Sequence, residues 1–291
     1  MTKTINKQLK IAIASGKGGT GKTFVSTNLL FVAQERGIKT CLVDCDAEEP
    51  NVLGFLSGEL NYSIPATQKI PVIDKKKCSF CGKCSKYCEY NAITILKGIQ
   101  FIQVAPELCH SCGACLVACK FGAITETNLE IGIITSIKFT SNAEIIESKI
   151  NIGIERSGEI IKTAQKLVHE DSELVLYDSP PGISCPLIAT VEKADLVILV
   201  VEPTPFGVND LKLSVEVLKE LGKPVYAIIN KDGVGNDEAE KYLNIQKIEI
   251  IAKIPFDKTI AQIYSTGKIL AKENIKYADL FVKVLNKLKI Q

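Results

Sequence analysis

The chain has 291 residues, of which 46% are hydrophobic, and a formal net charge of +2. This length suffices for one or two domains, the hydrophobic content is that of a globular protein, and the near-neutral charge argues against a nucleic-acid partner. The polar N-terminal segment does not resemble a signal peptide, and no apolar run approaches the roughly 18 residues of a membrane span. We therefore expect a soluble, cytoplasmic protein without a membrane partner.

The first predicted elements are a strand, a glycine-rich loop and a helix. The apolar run LKIAIAS (9–15) predicts the strand, and the helix extends from Lys22 to about Arg36, where Gly37 ends it. Between them, SGKGGTGKT satisfies the pattern G-x-x-x-x-G-K-[ST], which requires this strand–loop–helix context. Glycines let the backbone approach a phosphate closely, and the amides and the helix N-terminus supply positive potential. The sequence therefore predicts a phosphate-binding loop.

The predicted cofactor-binding residues of this loop are Gly16, Lys17, Gly18, Gly19, Thr20, Gly21, Lys22 and Thr23. In the pattern, Lys22 contacts the β- and γ-phosphates and Thr23 ligates Mg²⁺. Lys17 lies outside the pattern, and the segment KGGTGKT resembles the deviant Walker A motif of the MinD/ParA/Mrp superfamily of P-loop ATPases. The nitrogenase iron protein and the arsenite-pump ATPase are related to this superfamily.

The resemblance implies a role for Lys17 that one loop alone does not explain. In the family, the extra lysine reaches across a dimer to the partner's nucleotide, where a cation stabilises the transferring phosphoryl group as an arginine finger does. A dimer is therefore expected, either of two identical chains or with a related ATPase. Lys17 and Lys22 are the catalytic lysines on this interpretation. The alternative for Lys17 is a solvated side chain in a loop.

Carboxylates follow two of the predicted strands, in LVDCDAEEPN and LVLYDSPPG. Phosphoryl transfer needs carboxylates for Mg²⁺ and for the attacking water, and ligands bind at the carboxyl ends of parallel strands. By resemblance, Asp46 takes the switch I position and orients the water, and Asp178 takes the Walker B position. Gly182 would sense the γ-phosphate. The expected Mg²⁺ ligands are Thr23, Asp46 and Asp178, and Asp44 is a further carboxylate at the first strand end.

The segment 68–126 is rich in cysteine and short in regular elements. Eight of the eleven cysteines lie there, in two C-x₂-C-x₂-C-x₃-C runs that repeat at an interval of 31 residues. Disulfides are rare in a reducing compartment, so the clustering indicates metal. The spacing resembles that of bacterial two-cluster ferredoxins, in which the fourth cysteine of each run ligates the other [4Fe–4S] cluster. The resemblance assigns Cys78, Cys81, Cys84 and Cys119 to cluster 1, and Cys109, Cys112, Cys115 and Cys88 to cluster 2.

The main alternative for this segment is a pair of zinc sites, which the third cysteine of each run does not fit. The proline that usually follows the fourth cysteine is Glu89 in one run and Lys120 in the other. Of the other cysteines, we expect Cys41 and Cys45 to be buried. Cys185 lies where the nitrogenase iron protein has a cluster-ligating cysteine, and either it has an interfacial metal or redox role or it has no functional role.

The rest of the chain alternates between strands and helices. Strands are predicted at 38–44, 129–139, 150–154, 173–178, 195–202, 224–230 and 249–256, with helices at about 157–169, 186–193 and 208–221 and two more at the C-terminus. Apolar strands separated by helices predict an α/β fold with a mainly parallel sheet. The resemblance implies the SIMIBI type of P-loop NTPase with helices on both faces. We predict one ATPase domain, 1–67 with 127–291, interrupted by a small α+β ferredoxin domain at 68–126.

Two softer matches concern the nucleotide base. IINKD (228–232) resembles the family's adenine-binding segment, with Asn230 as the base contact, and IPFD (254–257), with Pro255, resembles the segment that covers the base. EPTPFGVNDL (202–211) also resembles the MinD/Mrp group. The C-terminal segment is amphipathic, and we expect it to pack on the sheet rather than bind a membrane as the MinD helix does.

Together these features predict an ATPase that binds ATP, Mg²⁺ and two [4Fe–4S] clusters. The first hypothesis is an electron donor gated by nucleotide that passes electrons to a redox partner protein. The second is a maturation factor that assists assembly of a metal cofactor in a client protein. A positioning ATPase of the MinD kind is the third, and the cysteine segment argues against it.

Overall fold

The computed structural model describes residues 8–154 and 156–290 of the chain. These residues form two compact units, a larger one of residues 8–64, 133–150 and 156–290 and a smaller one of residues 65–132 and 151–154. The smaller unit begins three residues before the predicted insert of 68–126 and extends six residues beyond it.

The described strands are β1 (Leu9–Ala14), β2 (Thr40–Asp44), β3 (Glu59–Ile73), β4 (Ile93–Leu96), β5 (Phe101–Val104), β6 (Ile124–Thr140), β7 (Ala143–Ile150), β8 (Leu174–Asp178), β9 (Leu196–Val201), β10 (Val225–Asp232) and β11 (Glu249–Pro255). The described α-helices are α1 (Lys22–Glu35), α2 (Lys83–Lys86), α3 (Ala114–Ala118), α4 (Gly158–Lys166), α5 (Cys185–Glu192), α6 (Pro205–Glu220), α7 (Glu238–Ile245), α8 (Lys258–Ser265), α9 (Leu270–Glu273) and α10 (Ile275–Lys287). Short 3₁₀ turns occupy Val52–Gly54, Lys97–Ile99 and Pro106–Leu108. The boundary between the two units falls within β3 and β6.

Nine of these strands form one sheet in the order β11-β10-β9-β1-β8-β2-β7-β6-β3. The six neighbouring pairs from β11 to β7 are parallel. Strands β6 and β7 are joined only by Ser141 and Asn142, a two-residue hairpin that requires antiparallel neighbours. The sheet is therefore mainly parallel, as predicted, with an antiparallel extension. In the smaller unit, β4 and β5 form an antiparallel pair.

Apolar residues cover both faces of the central strands. In β1, Ile11 and Ile13 belong to the cluster that packs against α1 and α10, while Ala12, on the opposite face, is equally buried. Because adjacent residues of a strand point to opposite faces, helices must cover both sides. The rings of Phe24 in α1 and Phe281 in α10 lie 6.1 Å apart, so the amphipathic C-terminal helix packs into the core as expected.

Several elements differ from the prediction, which included neither the strand β3 nor the helix α7. The strand predicted at 150–154 is wrong, because β7 ends at Ile150 and the chain turns at Gly153, whose φ is 86°. Three helices rather than two end the chain. Helix α6 begins at Pro205 and not at Val208, because Thr204 caps it by accepting a hydrogen bond from the Gly207 amide, and proline is favoured in a first turn.

Within the described part of the chain, no helix combines the length and the apolar character that crossing a membrane requires.

Candidate functional site

The glycine-rich loop connects the buried strand β1 to helix α1 and is closely packed by two other segments. A side chain at Gly16 would lie 2.5 Å from the Asp210 carbonyl oxygen, so only glycine fits there. Gly21 begins α1 with φ 100° and abuts the amide of Asn230. Both positions exclude a side chain for a geometric reason, and the loop takes its shape from this packing.

Lys22 extends from the start of α1 into the space between the strand ends. Its ammonium group donates a hydrogen bond to the Ser15 hydroxyl at 3.1 Å, and the side chain is buried. Burial lowers the pKa of Lys22, while Asp178, Asp46 and Asp44 oppose that shift, in this order of effect. The lysine therefore lies near the three carboxylates that were predicted at the two strand ends.

Asp178 is fully buried at the end of β8. Burial raises its pKa to about 6, although a hydrogen bond from the Thr23 side chain and the charge of Lys22 lower it. Its Oδ1 atom has no hydrogen-bond partner among the described residues. A buried acceptor without a donor is costly. Together with the Thr23 hydroxyl, it offers the oxygen ligands that Mg²⁺ prefers.

Asp44 and Asp46 have different surroundings. The Asp44 carboxylate accepts hydrogen bonds from the amides of Asp46 at 3.1 Å, Asn51 at 2.9 Å and Val52 at 3.0 Å. It therefore holds the loop that follows β2. Asp46 is half-buried, its pKa is raised mainly by burial, and Lys22 lowers it. Of the two carboxylates, Asp46 is the one available to a ligand.

Lys17 forms an ion pair within its own chain. Its ammonium group lies 3.7 Å from the Glu202 carboxylate, which directly follows β9. The same carboxylate pairs with Lys231 at 2.9 Å, and Lys231 also donates to the Gly19 carbonyl at 3.1 Å. The sequence did not predict that Glu202 and Lys231 contact the loop. The signals were the segments EPTPFGVNDL and IINKD, whose resemblances assigned no role to Glu202 or to Lys231.

Two of the remaining predicted nucleotide residues, Gly182 and Asn230, contact the same loop. The Gly182 amide donates to the Ser15 carbonyl at 3.2 Å. The Asn230 amide donates to the Thr20 carbonyl at 2.7 Å, so this residue braces the loop, and its contact with the base stays a prediction. Pro255 is the last residue of β11 and pairs with Asp232 in β10.

The smaller unit contains two cavities, each lined by four cysteines. One encloses about 320 Å³ free of protein atoms, partly open to solvent, and is lined by Cys78, Cys81, Cys84 and Cys119. The other encloses about 390 Å³ and is lined by Cys88, Cys109, Cys112 and Cys115. Three cysteines of one run and the fourth of the other thus share each cavity.

The backbone conformation of the first cysteine run is repeated in the second, at the same interval of 31 residues. Phe80 and Ser111, 31 residues apart, both have φ near 50°, and Gly82 and Gly113 begin α2 and α3 in the left-handed conformation. Contacts between the repeats are reciprocal. The Asp74 amide donates to the Ala123 carbonyl and, at the equivalent positions, the Ala105 amide donates to the Ala92 carbonyl, both at 2.8 Å. The two cavities are therefore related by an approximate twofold arrangement.

The thiols of one cavity influence each other. The pKa of Cys84 is raised first by burial and then by Cys78, Cys81 and Cys119. In the second cavity, burial and the neighbouring Cys109 and Cys112 raise the pKa of Cys115 to about 11. Four thiolates at either place need a cationic centre to remain ionised together.

Backbone amides also point at the cysteine sulfurs. The Phe80 amide donates to the Cys78 sulfur at 3.4 Å, and the Ala92 amide donates to the Cys88 sulfur at 3.3 Å. Within residues 8–154 and 156–290, no three His, Cys, Asp or Glu side chains converge on a single metal ion. Cys41 and Cys45 are fully buried in the larger unit, and Cys185 is exposed at the first turn of α5.

The family of the larger unit follows from a comparison with known proteins. The family model for the CobQ/CobB/MinD/ParA nucleotide-binding domain matches residues 11–270. The chain belongs to this family. The match agrees with the resemblance carried by the loop.

Relatives extend over the full length of the chain. An uncharacterized protein of Methanocaldococcus jannaschii, MJ0579, is 32% identical over 276 residues, which are 93% of this chain and 94% of that protein. An iron–sulfur cluster carrier protein of Pyrococcus horikoshii is 24% identical, over 96% of this chain and 86% of its own. The fold is similar to that of the septum site-determining protein MinD of Pyrococcus horikoshii, complexed with Mg-ADP, with a TM-score of 0.62 at 20% identity over 97% and 96% of the two chains.

Proposed function

We propose that this protein hydrolyses ATP and couples its nucleotide state to electron transfer, through two [4Fe–4S] clusters, to a partner protein. The observation that carries the proposal is the sharing of the cysteines between the two cavities. Cys119 joins the first run and Cys88 joins the second. This is the ligand exchange that distinguishes two-cluster ferredoxins, in which each run gives its fourth cysteine to the other cluster.

The donor set and its surroundings fit a cluster. In a cube each thiolate ligates a different iron, so the four sulfurs surround the cluster instead of converging on one point. The first cavity is otherwise lined largely by apolar side chains, among them Ile73, Ile95 and Ile124. Apolar walls and amides directed at sulfur are the features by which proteins tune cluster potential. When bound, the clusters supply one-electron transfer.

The alternative is a zinc ion in each cavity, and the metal and sulfide content of the protein distinguishes zinc from an iron–sulfur cluster. A zinc site holds one ion between four ligands, contains no sulfide and has no redox chemistry. We expect protein purified without oxygen to contain about eight irons and about eight sulfides per chain, four of each per cluster. Electron paramagnetic resonance of the reduced protein should show the spectrum of two interacting reduced clusters. Zinc without sulfide would contradict the proposal.

The larger unit supplies the groups that ATP hydrolysis needs. Lys22 lies at the helix N-terminus where the phosphates would bind, and Thr23 and Asp178 would provide oxygen ligands for Mg²⁺. The ion would neutralise charge on the phosphates. On this proposal Asp46, which is half-buried and interacts electrostatically with Lys22, would accept a hydrogen bond from the attacking water. Lys17 would act on the nucleotide of a facing copy or of a related ATPase.

Coupling between the two activities is testable with the intact protein. The reduction potential of the clusters should differ between protein saturated with ATP and protein saturated with ADP. Equal potentials in both states would leave an ATPase and a ferredoxin joined without coupling, which contradicts the proposal.

The second candidate function is maturation of a metal cofactor in a client protein. It is supported by the likeness to the iron–sulfur cluster carrier protein of Pyrococcus horikoshii. Transfer to an apo-ferredoxin separates the candidates. Rapid transfer of intact clusters favours a carrier, and reduction of an electron acceptor without loss of clusters favours electron transfer. A MinD-like positioning role is the third candidate, for which only the fold argues.

A further inference from the structure

Glu202 is the point at which two lysines of the nucleotide site meet. Its carboxylate lies 3.7 Å from the ammonium group of Lys17 and 2.9 Å from that of Lys231. Lys231 also donates to the Gly19 carbonyl at 3.1 Å. One carboxylate therefore connects the lysine outside the phosphate-binding pattern to a second lysine that already holds the loop.

The position of Glu202 is fixed by its surroundings. The residue directly follows β9, and a side chain at Gly207 would collide with the Glu202 carbonyl oxygen, so only glycine permits this turn. Further along the same segment, the Asp210 backbone packs against Gly16. The segment EPTPFGVND therefore forms one wall of the phosphate loop.

Lys231 is held toward Glu202 at a cost in backbone strain. It has a φ of 56°, in the left-handed region that a residue with a side chain adopts rarely, and such residues occur where surrounding contacts compensate the strain. The Glu202 side chain is 14% exposed. Burial alone would raise the pKa of Glu202, but Lys231 and Lys17 lower it on balance, which keeps the carboxylate ionised.

We propose that Glu202 is a positioning residue that holds Lys17 against its own subunit until the triphosphate of a facing copy of this chain replaces the carboxylate as its partner. The inference rests on the proposed function, because it needs an ATP-dependent dimer. ATP carries more negative charge than the carboxylate and ADP carries less than ATP, so the exchange would favour ATP.

The exchange of partners by Lys17 costs little free energy because Glu202 keeps its shorter ion pair, with Lys231. When Lys17 leaves, Glu202 retains Lys231 at 2.9 Å and is not left as an uncompensated charge. The pair of Lys17 with Glu202 is the longer one, and Lys231 is also held by the Gly19 carbonyl, so Lys17 is the cation that can move. The retained pair keeps Lys231 on the Gly19 carbonyl, and the loop stays braced in both states.

The substitution Glu202→Gln tests this role, since the amide oxygen can still accept a hydrogen bond from Lys231 but no longer carries the charge that holds Lys17. The matched control is Glu159→Gln, which removes the carboxylate of an exposed pair with Lys162, also at 3.7 Å. Glu202→Asp retains the charge and should behave as wild type, which separates the role of the charge from a folding defect.

Dimerisation is measured by analytical ultracentrifugation with ATP or ADP, and ATP affinity by titration at a concentration where the chain is monomeric. We expect Glu202→Gln to dimerise with ATP at about two- to fivefold lower protein concentration than wild type, the range that a partly exposed ion pair allows, with little change in monomer affinity. Glu159→Gln should match wild type. The double variant Lys17→Ala/Glu202→Gln should lose this stronger ATP-dependent dimerisation.

Unchanged or weaker dimerisation of Glu202→Gln would overturn the inference, as would a gain that persists without Lys17. In both cases wild type still hydrolyses ATP, so the proposed function survives. A wild-type chain that neither binds nor hydrolyses ATP contradicts the proposed function itself, and the inference fails with it.

Discussion

The phosphate loop and the cysteine cavities are built in opposite ways. The loop is held by direct contacts, since Asn230 donates to the Thr20 carbonyl and Lys22 donates to the Ser15 hydroxyl. In the cavities, the cysteines are not joined by disulfides, and burial and neighbouring thiols raise the pKa of Cys84. Backbone turns set the cavity shape, but the groups that line it repel one another once ionised.

The phosphate loop is therefore preorganised for its ligand, whereas the cysteine cavities depend on theirs. A loop whose amides and lysine are already in place should bind its ligand with little rearrangement. A site made of ionisable thiols gains most of its stability from the metal that it binds, because binding energy becomes folding energy. We therefore expect the smaller unit, but not the larger one, to depend on its metal.

Removal of metal should give the largest effect. Chelation under reducing conditions should unfold residues 65–132, because four cysteines in each cavity lose the centre that joins them. Hydrogen exchange measured by mass spectrometry should show loss of protection there and retention in β1 and α1. Equal protection of both units after complete loss of iron would contradict the comparison.

Removal of one ligand should abolish one cluster. Cys84 is buried in the first cavity, so Cys84→Ser should reduce the iron content from about eight to about four per chain. The control is Cys185→Ser, in an exposed residue of the larger unit, and it should leave the iron content unchanged. If Cys185→Ser lost iron instead, the interfacial role considered from the sequence would be supported.

The nucleotide site should lose affinity in proportion to the contact removed. Lys22→Ala deletes a buried cation at the helix N-terminus where the phosphates would bind. A hydrogen bond to a charged group contributes about 1.5–3 kcal/mol, so ATP affinity should fall by roughly 10- to 150-fold. The iron content should not change. Titration with a fluorescent ATP analogue measures the affinity, and metal analysis measures the iron content.

The brace from Asn230 should matter less than Lys22. Asn230→Ala removes the hydrogen bond to the Thr20 carbonyl, a neutral pair whose loss costs about 1 kcal/mol or somewhat more because the carbonyl remains buried. We expect ATP affinity to fall by about five- to tenfold. Affinity for GTP separates bracing from base contact. If Asn230 only braces the loop, the variant should lose affinity for ATP and GTP equally. If Asn230 also contacts the base, the variant should lose its preference for ATP over GTP.

The sequence predicted the loop and the central strands because local rules decide both. The glycine pattern is explained by close approaches at Gly16 and Gly21, and apolar runs such as LVILVV are buried on both faces. The family match confirms the nucleotide-binding domain. Strand β7, AEIIESKI, was misplaced because it mixes apolar and charged residues, while the more apolar INIGI contains a turn at Gly153.

Contacts between distant parts of the chain that no repeat or motif encodes could not be predicted. The role of Glu202 depends on the end of β9 lying beside the loop, and the brace from Asn230 joins residues 210 positions apart. The sequence distinguished Asp46 from Asp44 by resemblance alone and did not predict that Asp44 accepts hydrogen bonds from three backbone amides. These distinctions arise from the fold, since each depends on which amide or cation the sheet brings near.

The smallest effect that we expect is a pH dependence confined to the larger unit. Burial raises the pKa of Asp178 to about 6 in the folded protein, above its ordinary value, so between roughly pH 4 and 6 the folded state binds the proton more tightly than the unfolded state. Without nucleotide, stability should therefore rise as the pH falls from 7 to 5. Asp178→Asn should flatten this dependence in thermal unfolding. A stability that falls over this interval in wild type would show that other groups dominate. MgADP should reduce the rise, because a cation at Asp178 favours the ionised carboxylate.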